Sequence, residues 1–168
     1  MKRSLVRVQA HPLLQLKFKI MRKLIHKILG IKEVHAHCDL MCGVYDPAQA
    51  RIEAQSVYNA AKVYEASDDE TLRQRALAIK EERAELVKHH LWVLWTDYFK
   101  PEHVEKFGNL HDLFWRATKA AGDAKKTMDV SAAQKLIDLI DEIGAVFEKT
   151  KEGYSYEAVK KNMEGQAK

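Results

Sequence analysis

Ser131-Ala132-Ala133-Gln134-Lys135-Leu136-Ile137-Asp138-Leu139-Ile140-Asp141-Glu142-Ile143-Gly144-Ala145-Val146-Phe147 is the most strongly patterned stretch of this chain. Leu136, Leu139, Ile140, Ile143, Val146 and Phe147 recur at steps of three and four, the spacing that lines one face of an α-helix. Ser131 is expected to open this helix, which ends before Gly153. The same period recurs upstream. Asp46-Pro47 predicts a helix start, because the carboxylate accepts orphan N–H groups and a proline at the first helical position gives up no hydrogen bond. That helix is expected over 47–66 with Ile52, Val57, Ala60, Ala61 and Tyr64 inward, stopping at Ser67-Asp68-Asp69, which can cap the next. A second helix is expected over 69–99, with a stripe of Leu72, Ala76, Ile79, Leu86, Val87, Leu91, Leu94, Trp95 and Tyr98, ended by Pro101. After a linker over 100–109, Asn109 can cap a third helix to residue 121 carrying Leu110, Leu113, Phe114 and Ala117, with Gly122 near its end. No useful length alternates at period two. The expected fold is all-α, an antiparallel four-helix bundle whose last dozen residues fray.

Composition agrees with one soluble globular domain: 168 residues, 46% hydrophobic and 31% charged, with no run near the roughly 18 apolar residues of a membrane span. Two cysteines exclude a disulfide-dense scaffold. The net charge of +4 divides unevenly. Residues 1–36 carry nine Lys and Arg against one acid, Glu33, for a net +8; the other 132 carry 19 against 23, for a net −4. The acidic body disfavours nucleic acid as a partner. A body of that length buries roughly two thirds of its unfolded surface, so a metal there serves function rather than folding.

The leader reads as a basic amphipathic helix, with Leu13, Leu16, Ile20, Leu24, Ile28 and Ile31 on one face and Lys17, Lys19, Arg22, Lys23 and Lys27 between them. Basic residues interrupt every few positions, unlike the unbroken apolar core of a secretory signal, although Val34-His35-Ala36 has the form of a small-residue cleavage site. A removable pro-segment, a membrane-surface helix and an organelle transit peptide all fit this pattern.

Between leader and bundle lies His37-Cys38-Asp39-Leu40-Met41-Cys42-Gly43-Val44-Tyr45-Asp46-Pro47, holding both cysteines and a histidine beside one of them. Soft thiolates next to an imidazole are a metal-site pattern. No second cysteine pair exists, and His89, His90, His103 and His111 show no ligand-like pairing, so a four-ligand structural zinc site has little support. On residue chemistry alone, a metal site, a non-metal thiol pair and two cysteines without a special role stay open.

The segment closely resembles the nickel-containing superoxide dismutases. Their signature is a His-Cys-x-x-x-Cys-Gly-x-Tyr hook at the mature N-terminus, exposed by removal of a pro-segment and followed by a four-helix bundle; His37, Cys38, Cys42, Gly43 and Tyr45 match it here. The resemblance implies that residues 1–36 are removed by a processing peptidase, leaving 37–168 as hook plus bundle. It implies one nickel ion per subunit, held by the freed His37 α-amine, the Cys38 backbone amide and the Cys38 and Cys42 thiolates, with the His37 imidazole as an axial ligand. Nitrogen and thiolate donors of this strength suit Ni(II) better than tetrahedral zinc and bring Ni(III) within reach. The implied activity converts superoxide to O2 and H2O2.

By the same resemblance, Glu53 and Arg83 match a helix-borne pair that orients the axial imidazole, and Tyr45 matches a tyrosine that screens small-anion access beside the nickel. Arg83 also breaks the apolar stripe between Ile79 and Val87, where a desolvated guanidinium needs a carboxylate. Tyr98 is a candidate companion of Tyr45, Asp39 matches a residue that fixes the loop, and Gly43 allows close backbone approach. Trp92, Trp95, Phe99, Phe114 and Trp115 read as core or subunit-contact residues, and the resemblance implies a homohexamer. One departure stands out: Met41 occupies the place of a proline before the second cysteine, so activity with slower or weaker nickel loading is expected. A cytoplasmic location is expected, which suits reduced thiolates, and contact of the leader with a membrane is a further expectation. The competing readings are a non-catalytic metal-binding helical protein and a membrane-surface protein with incidental cysteines.

Overall fold

Asp46 begins the ordered architecture. Its Oδ1 accepts the Ala48 N–H at 2.8 Å while Pro47 already holds helical angles (φ −64°, ψ −14°), so the expected Asp-Pro start is realised. A computed structural model describes residues 44–166, with side chains to 163; the leader and the hook residues His37 to Gly43 lie outside the described residues. Helix α1 spans Ala48–Ala66 and α2 spans Glu70–Val93, running on into a π-helical turn at Leu94–Tyr98. Then come a short α3 (Pro101–Lys106), α4 (Leu110–Lys126), α5 (Val130–Glu148) and α6 (Tyr156–Gln166). Among the described residues there is no strand.

Three-residue connections at 67–69 and 127–129 make α1/α2 and α4/α5 antiparallel neighbours. The remaining contacts, α1 with α5 and α2 with α4, close a four-helix ring around one core. Asp69 caps α2 by accepting from Thr71 N (2.9 Å) and Leu72 N (3.4 Å). Three expectations about helix ends are corrected. The cap of α5 is Asp129, which accepts from both Ser131 N and Ser131 Oγ; a carboxylate offers more acceptor sites than the serine expected to open the helix. Asn109 makes no side-chain cap bond, and α4 passes through Gly122 to Lys126. The expected fraying of the last dozen residues does not hold as far as residue 166, because α6 is helical to that point and packs on α1 and α5.

The buried seams also differ from the expected stripes. Ala50, Ala54, Val57 and Ala61 line α1, whereas Ile52 is half exposed. On α2 the buried positions are Ala76, Lys80, Ala84, Val87, Leu91 and Leu94, which places Leu72 and Ile79 outside. Val57, Ala60, Ala61, Ala76, Val87, Leu91 and Leu94 are buried as expected, but small side chains occupy the positions where backbones approach most closely, so Ala50, Ala54 and Ala84 enter the seam while Ile52, Leu72 and Ile79 stay outside. Helices α4 and α5 follow expectation: Leu110, Leu113, Phe114, Ala117, Leu136, Leu139, Ile140, Ile143 and Phe147 are buried, and Val146 is half-buried.

Lys80, 1% exposed, is the deepest charge on the seam. Its ammonium donates to the carbonyls of Lys125 and Thr127, the latter at 2.9 Å, and so satisfies orphan acceptors at the C-terminal end of α4, where the helix dipole favours a cation. Lys80→Met is expected to lower the unfolding free energy by about 1–3 kcal/mol, because two inward carbonyls lose their donor. Arg116→Ala, which removes exposed ion pairs to Asp112 and Glu142, should leave stability near wild type; urea unfolding of both variants checks the contrast.

Candidate metal centre

The chain has two cysteines, Cys38 and Cys42, so thiolate ligation of a metal can come from nowhere else. Among the described residues no group of three or more His, Cys, Asp or Glu side chains is placed to hold a metal ion. His37, Cys38, Asp39, Met41, Cys42 and Gly43 lie outside the described residues. The donor chemistry of that segment fits nickel: two thiolates, an imidazole and backbone nitrogen suit a soft, planar d8 ion better than an oxygen-seeking cation. What the described bundle contributes is a set of side chains around the start of α1.

Glu53 and Arg83 meet. Arg83 Nη1 donates to Glu53 Oε2 at 3.2 Å and Oε1 at 3.4 Å, bridging α1 and α2. The carboxylate is the more buried partner, with its side chain 15% exposed against 38% for the arginine. Glu53 is therefore not an ordinary surface acid, and Arg83 does not merely extend to solvent. The pair lies beside the seam rather than in it, since Lys80 and Ala84 take the buried positions on either side of Arg83 in the helix. Glu53 stands seven residues beyond Asp46, about 10 Å along the helix axis.

Tyr45 and Tyr98 also meet, with ring centroids 5.7 Å apart and planes tilted by 51°. The π-helical turn sets Tyr98 in place: Phe99 N–H reaches back to Leu94 O at 3.1 Å, which widens the end of α2 by one residue before Pro101. Sequence periodicity predicts a regular helix over this stretch. Tyr98 rests on Phe147 at 4.5 Å and stacks with His103 at 5.8 Å. Its hydroxyl is 2.8 Å from Thr150 Oγ1, and because Thr150 spends its one proton on Phe147 O, the phenol is the donor.

Two residues that carry no motif hold this region from the C-terminal side. Lys151 Nζ donates to Tyr45 O at 3.3 Å, and the Tyr154 hydroxyl donates to Asp46 Oδ1 at 2.7 Å. Burial, reinforced by the bond to Asp46, raises the Tyr154 phenol well above its ordinary range, so it remains a donor at any pH the protein meets. Their only local signal in the sequence is the Tyr154-Ser155-Tyr156 pair of aromatics in an otherwise polar tail. Of the expected packing aromatics, Phe99 and Phe114 are buried and Trp95 lies against Phe114 at 5.2 Å, whereas Trp92 and Trp115 are 48% and 59% exposed. Their rings border a groove of ≈ 210 Å³ that also includes Trp95 and His111.

A family model described as nickel-containing superoxide dismutase matches residues 32–151. The chain is 54% identical over 119 residues to the nickel superoxide dismutase of Streptomyces seoulensis, covering 71% of this chain and 91% of that one. It is 52% identical over 118 residues to the enzyme of the same name from Streptomyces coelicolor, covering 70% and 90%. A native crystal structure of nickel superoxide dismutase superposes with a TM-score of 0.67 at 52% identity, over 69% of this chain and 100% of the other. A structure whose nickel ligation corresponds to the oxidised state gives 0.67 at 53% identity, over 70% and 100%. With the hook motif in the matched segment and the four-helix ring behind it, the chain belongs to the nickel-containing superoxide dismutases.

Proposed function

We propose that the chain, processed after Ala36, disproportionates superoxide to O2 and H2O2 at a nickel ion held by its N-terminal hook. The observation that carries this reading is the His37-Cys38-x-x-x-Cys42-Gly43-x-Tyr45 motif inside a segment matched to the nickel superoxide dismutase family. His37 would hold nickel through its freed α-amine and its imidazole, Cys38 through its thiolate and backbone amide, and Cys42 through its thiolate. When bound, nickel supplies one-electron cycling between Ni(II) and Ni(III), which takes an electron from one superoxide and returns it to the next. While the leader is attached the His37 nitrogen is an amide and one donor is missing, so the leader acts as a lock that a peptidase opens.

The remaining work falls to the bundle's own side chains. Glu53, held by Arg83 at 3.2 Å, would serve as acceptor for the outer N–H of a metal-binding His37 imidazole; such a carboxylate fixes the tautomer and direction of a metal-binding histidine. Tyr45, resting against Tyr98, stands one residue before the Asp46 cap and restricts access to small anions. The Tyr98 hydroxyl is already committed to Thr150. Assembly as a homohexamer is part of the same proposal. It is supported by exposed Trp92 and Trp115, and by exposed Ile52, Val63, Leu72 and Ile79, which offer apolar surface to further copies of the chain. A cytoplasmic site of action, with transient membrane contact by the basic leader before its removal, completes the reading.

Superoxide consumption by residues 37–168, beginning with a free His37 and loaded with nickel, tests the proposal against zinc-loaded and metal-free controls. Turnover only with nickel is expected; nickel bound without turnover would make the chain a metal carrier. Cys38→Ser and Cys42→Ser should each abolish nickel binding and activity, and catalysis surviving in either would sink the ligand assignment. One residue added before His37 should leave thermal unfolding unchanged while activity disappears. Arg83→Ala should retain nickel but slow turnover roughly 10–100-fold, the usual cost of losing the partner that holds a metal-binding histidine. Stopped-flow decay of superoxide together with nickel content by elemental analysis checks that outcome.

A further inference from the structure

The family match ends at residue 151, yet the chain continues and packs back on itself. Gly153, at φ 72°, turns the backbone sharply after α5, in a conformation that side-chain-bearing residues rarely adopt. Tyr156 then enters the bundle with its ring laid on Gly144, where an added Cβ would stand 2.3 Å from the ring carbons, so only glycine leaves room for it. Its hydroxyl donates to Asp141 Oδ1 at 2.9 Å, the same oxygen that takes Arg51 Nε at 2.9 Å, and Lys160 approaches the other oxygen at 3.7 Å. Arg51 is 7% exposed and lies on the first turn of α1, five residues after Asp46. Two residues before Tyr156, Tyr154 bonds Asp46 itself. The C-terminal segment thus grips the first turn of α1 at two points, directly through its capping residue and, by way of Asp141, through a partly buried ion pair to Arg51.

We propose that this extension beyond the family match is a clamp for the nickel hook, with Tyr154 and Tyr156 as positioning residues that hold the chain where it leaves Cys42. Asp46 lies four positions after Cys42, with three residues between them, and an extended chain covers at most about 14 Å over that span, so fixing Asp46 limits how far the second thiolate ligand can stray. Asp46 Oδ1 accepts from Ala48 N and from Tyr154 Oη together; without the phenol, the cap rests on one bond and the first turn of α1 opens more often. The clamp's effect on nickel rests on the proposed hook function, and its effect on α1 rests on the bundle alone.

The test is made on the processed chain with Tyr154→Phe, which removes one hydroxyl, and Gly144→Ala, which blocks the seat of Tyr156 from a different helix. In metal-free protein, amide exchange at Ala48 and Arg51 should rise roughly tenfold in both variants, while Ala117 and Ala120 on α4 keep their wild-type rates. In nickel-loaded protein, release of the metal to a chelator should accelerate in parallel. Unchanged exchange at Ala48 and Arg51 overturns the clamp, and so does an equal rise across all four amides, which marks a general loss of stability. Local loosening without faster nickel release overturns the positioning role. A chain that takes up no nickel would instead overturn the hook function and leave the exchange comparison to decide whether the clamp exists.

Discussion

Everything at the candidate centre depends on how closely α1 and α2 approach. The seam between them is built from Ala50, Ala54, Val57 and Ala61 on one side and Ala76, Ala84 and Val87 on the other, all buried. Alanine at these positions lets the backbones close up, and only then does the Glu53 carboxylate on α1 come within 3.2 Å of Arg83 on α2. With larger side chains in the seam, the two groups would each be solvated separately and neither would be held in one direction. A half-buried carboxylate fixed by a guanidinium has a defined orientation because leaving it costs a charge-assisted hydrogen bond.

The start of α1 is the second point on which the architecture converges. In the proposed processed chain the hook would have no preceding element to hold it, and its position would be inherited from the residues on its C-terminal side. Those residues are Tyr45, leaning on Tyr98, and Asp46, which caps α1 and is itself bonded by Tyr154. Tyr98 reaches this place through the π-helical turn at Leu94–Tyr98 and is braced by Phe147 and Thr150 of the α5 end. Elements far apart in sequence therefore meet around a few consecutive residues. The charges that lie deepest, Lys80 and Arg51, serve the same purpose: one closes the carbonyl end of α4, the other ties α1 to Asp141. Neither is left without hydrogen bonds, the condition under which a buried cation is tolerated.

Much of this architecture is legible in the sequence. The Asp46-Pro47 start, the cap at Asp69 and the apolar faces of α4 and α5 follow from backbone chemistry and a period of three to four, signals that lie within a few residues of one another. The hook segment is legible as a motif, but the two cysteines beside a histidine leave their chemistry open until the spacing is matched to the family's pattern. Arg83 is expected to need a carboxylate because it breaks the Ile79–Val87 spacing; that spacing is not the buried seam, yet Glu53 stands at bonding distance.

What the sequence by itself determined, then, is the class of fold and, once matched to the family's pattern, the identity of the Glu53–Arg83 pair. The tertiary structure alone decided where the α1–α2 seam leaves the periodic signal, at Ala50, Ala54 and Ala84. Large aliphatics such as Ile52 and Ile79 carry the periodic signal, but close-packed backbones admit alanine, so Ile52 and Ile79 are left outside. It also decided that the C-terminal residues fold. Tyr156 is one of two aromatics in a polar tail, and its burial depends on the room left at Gly144 and on an acceptor at Asp141, 12 and 15 residues back on another helix. Such a fit between distant surfaces leaves no periodic trace in the chain, because the partners are matched in shape and hydrogen bonding rather than in spacing.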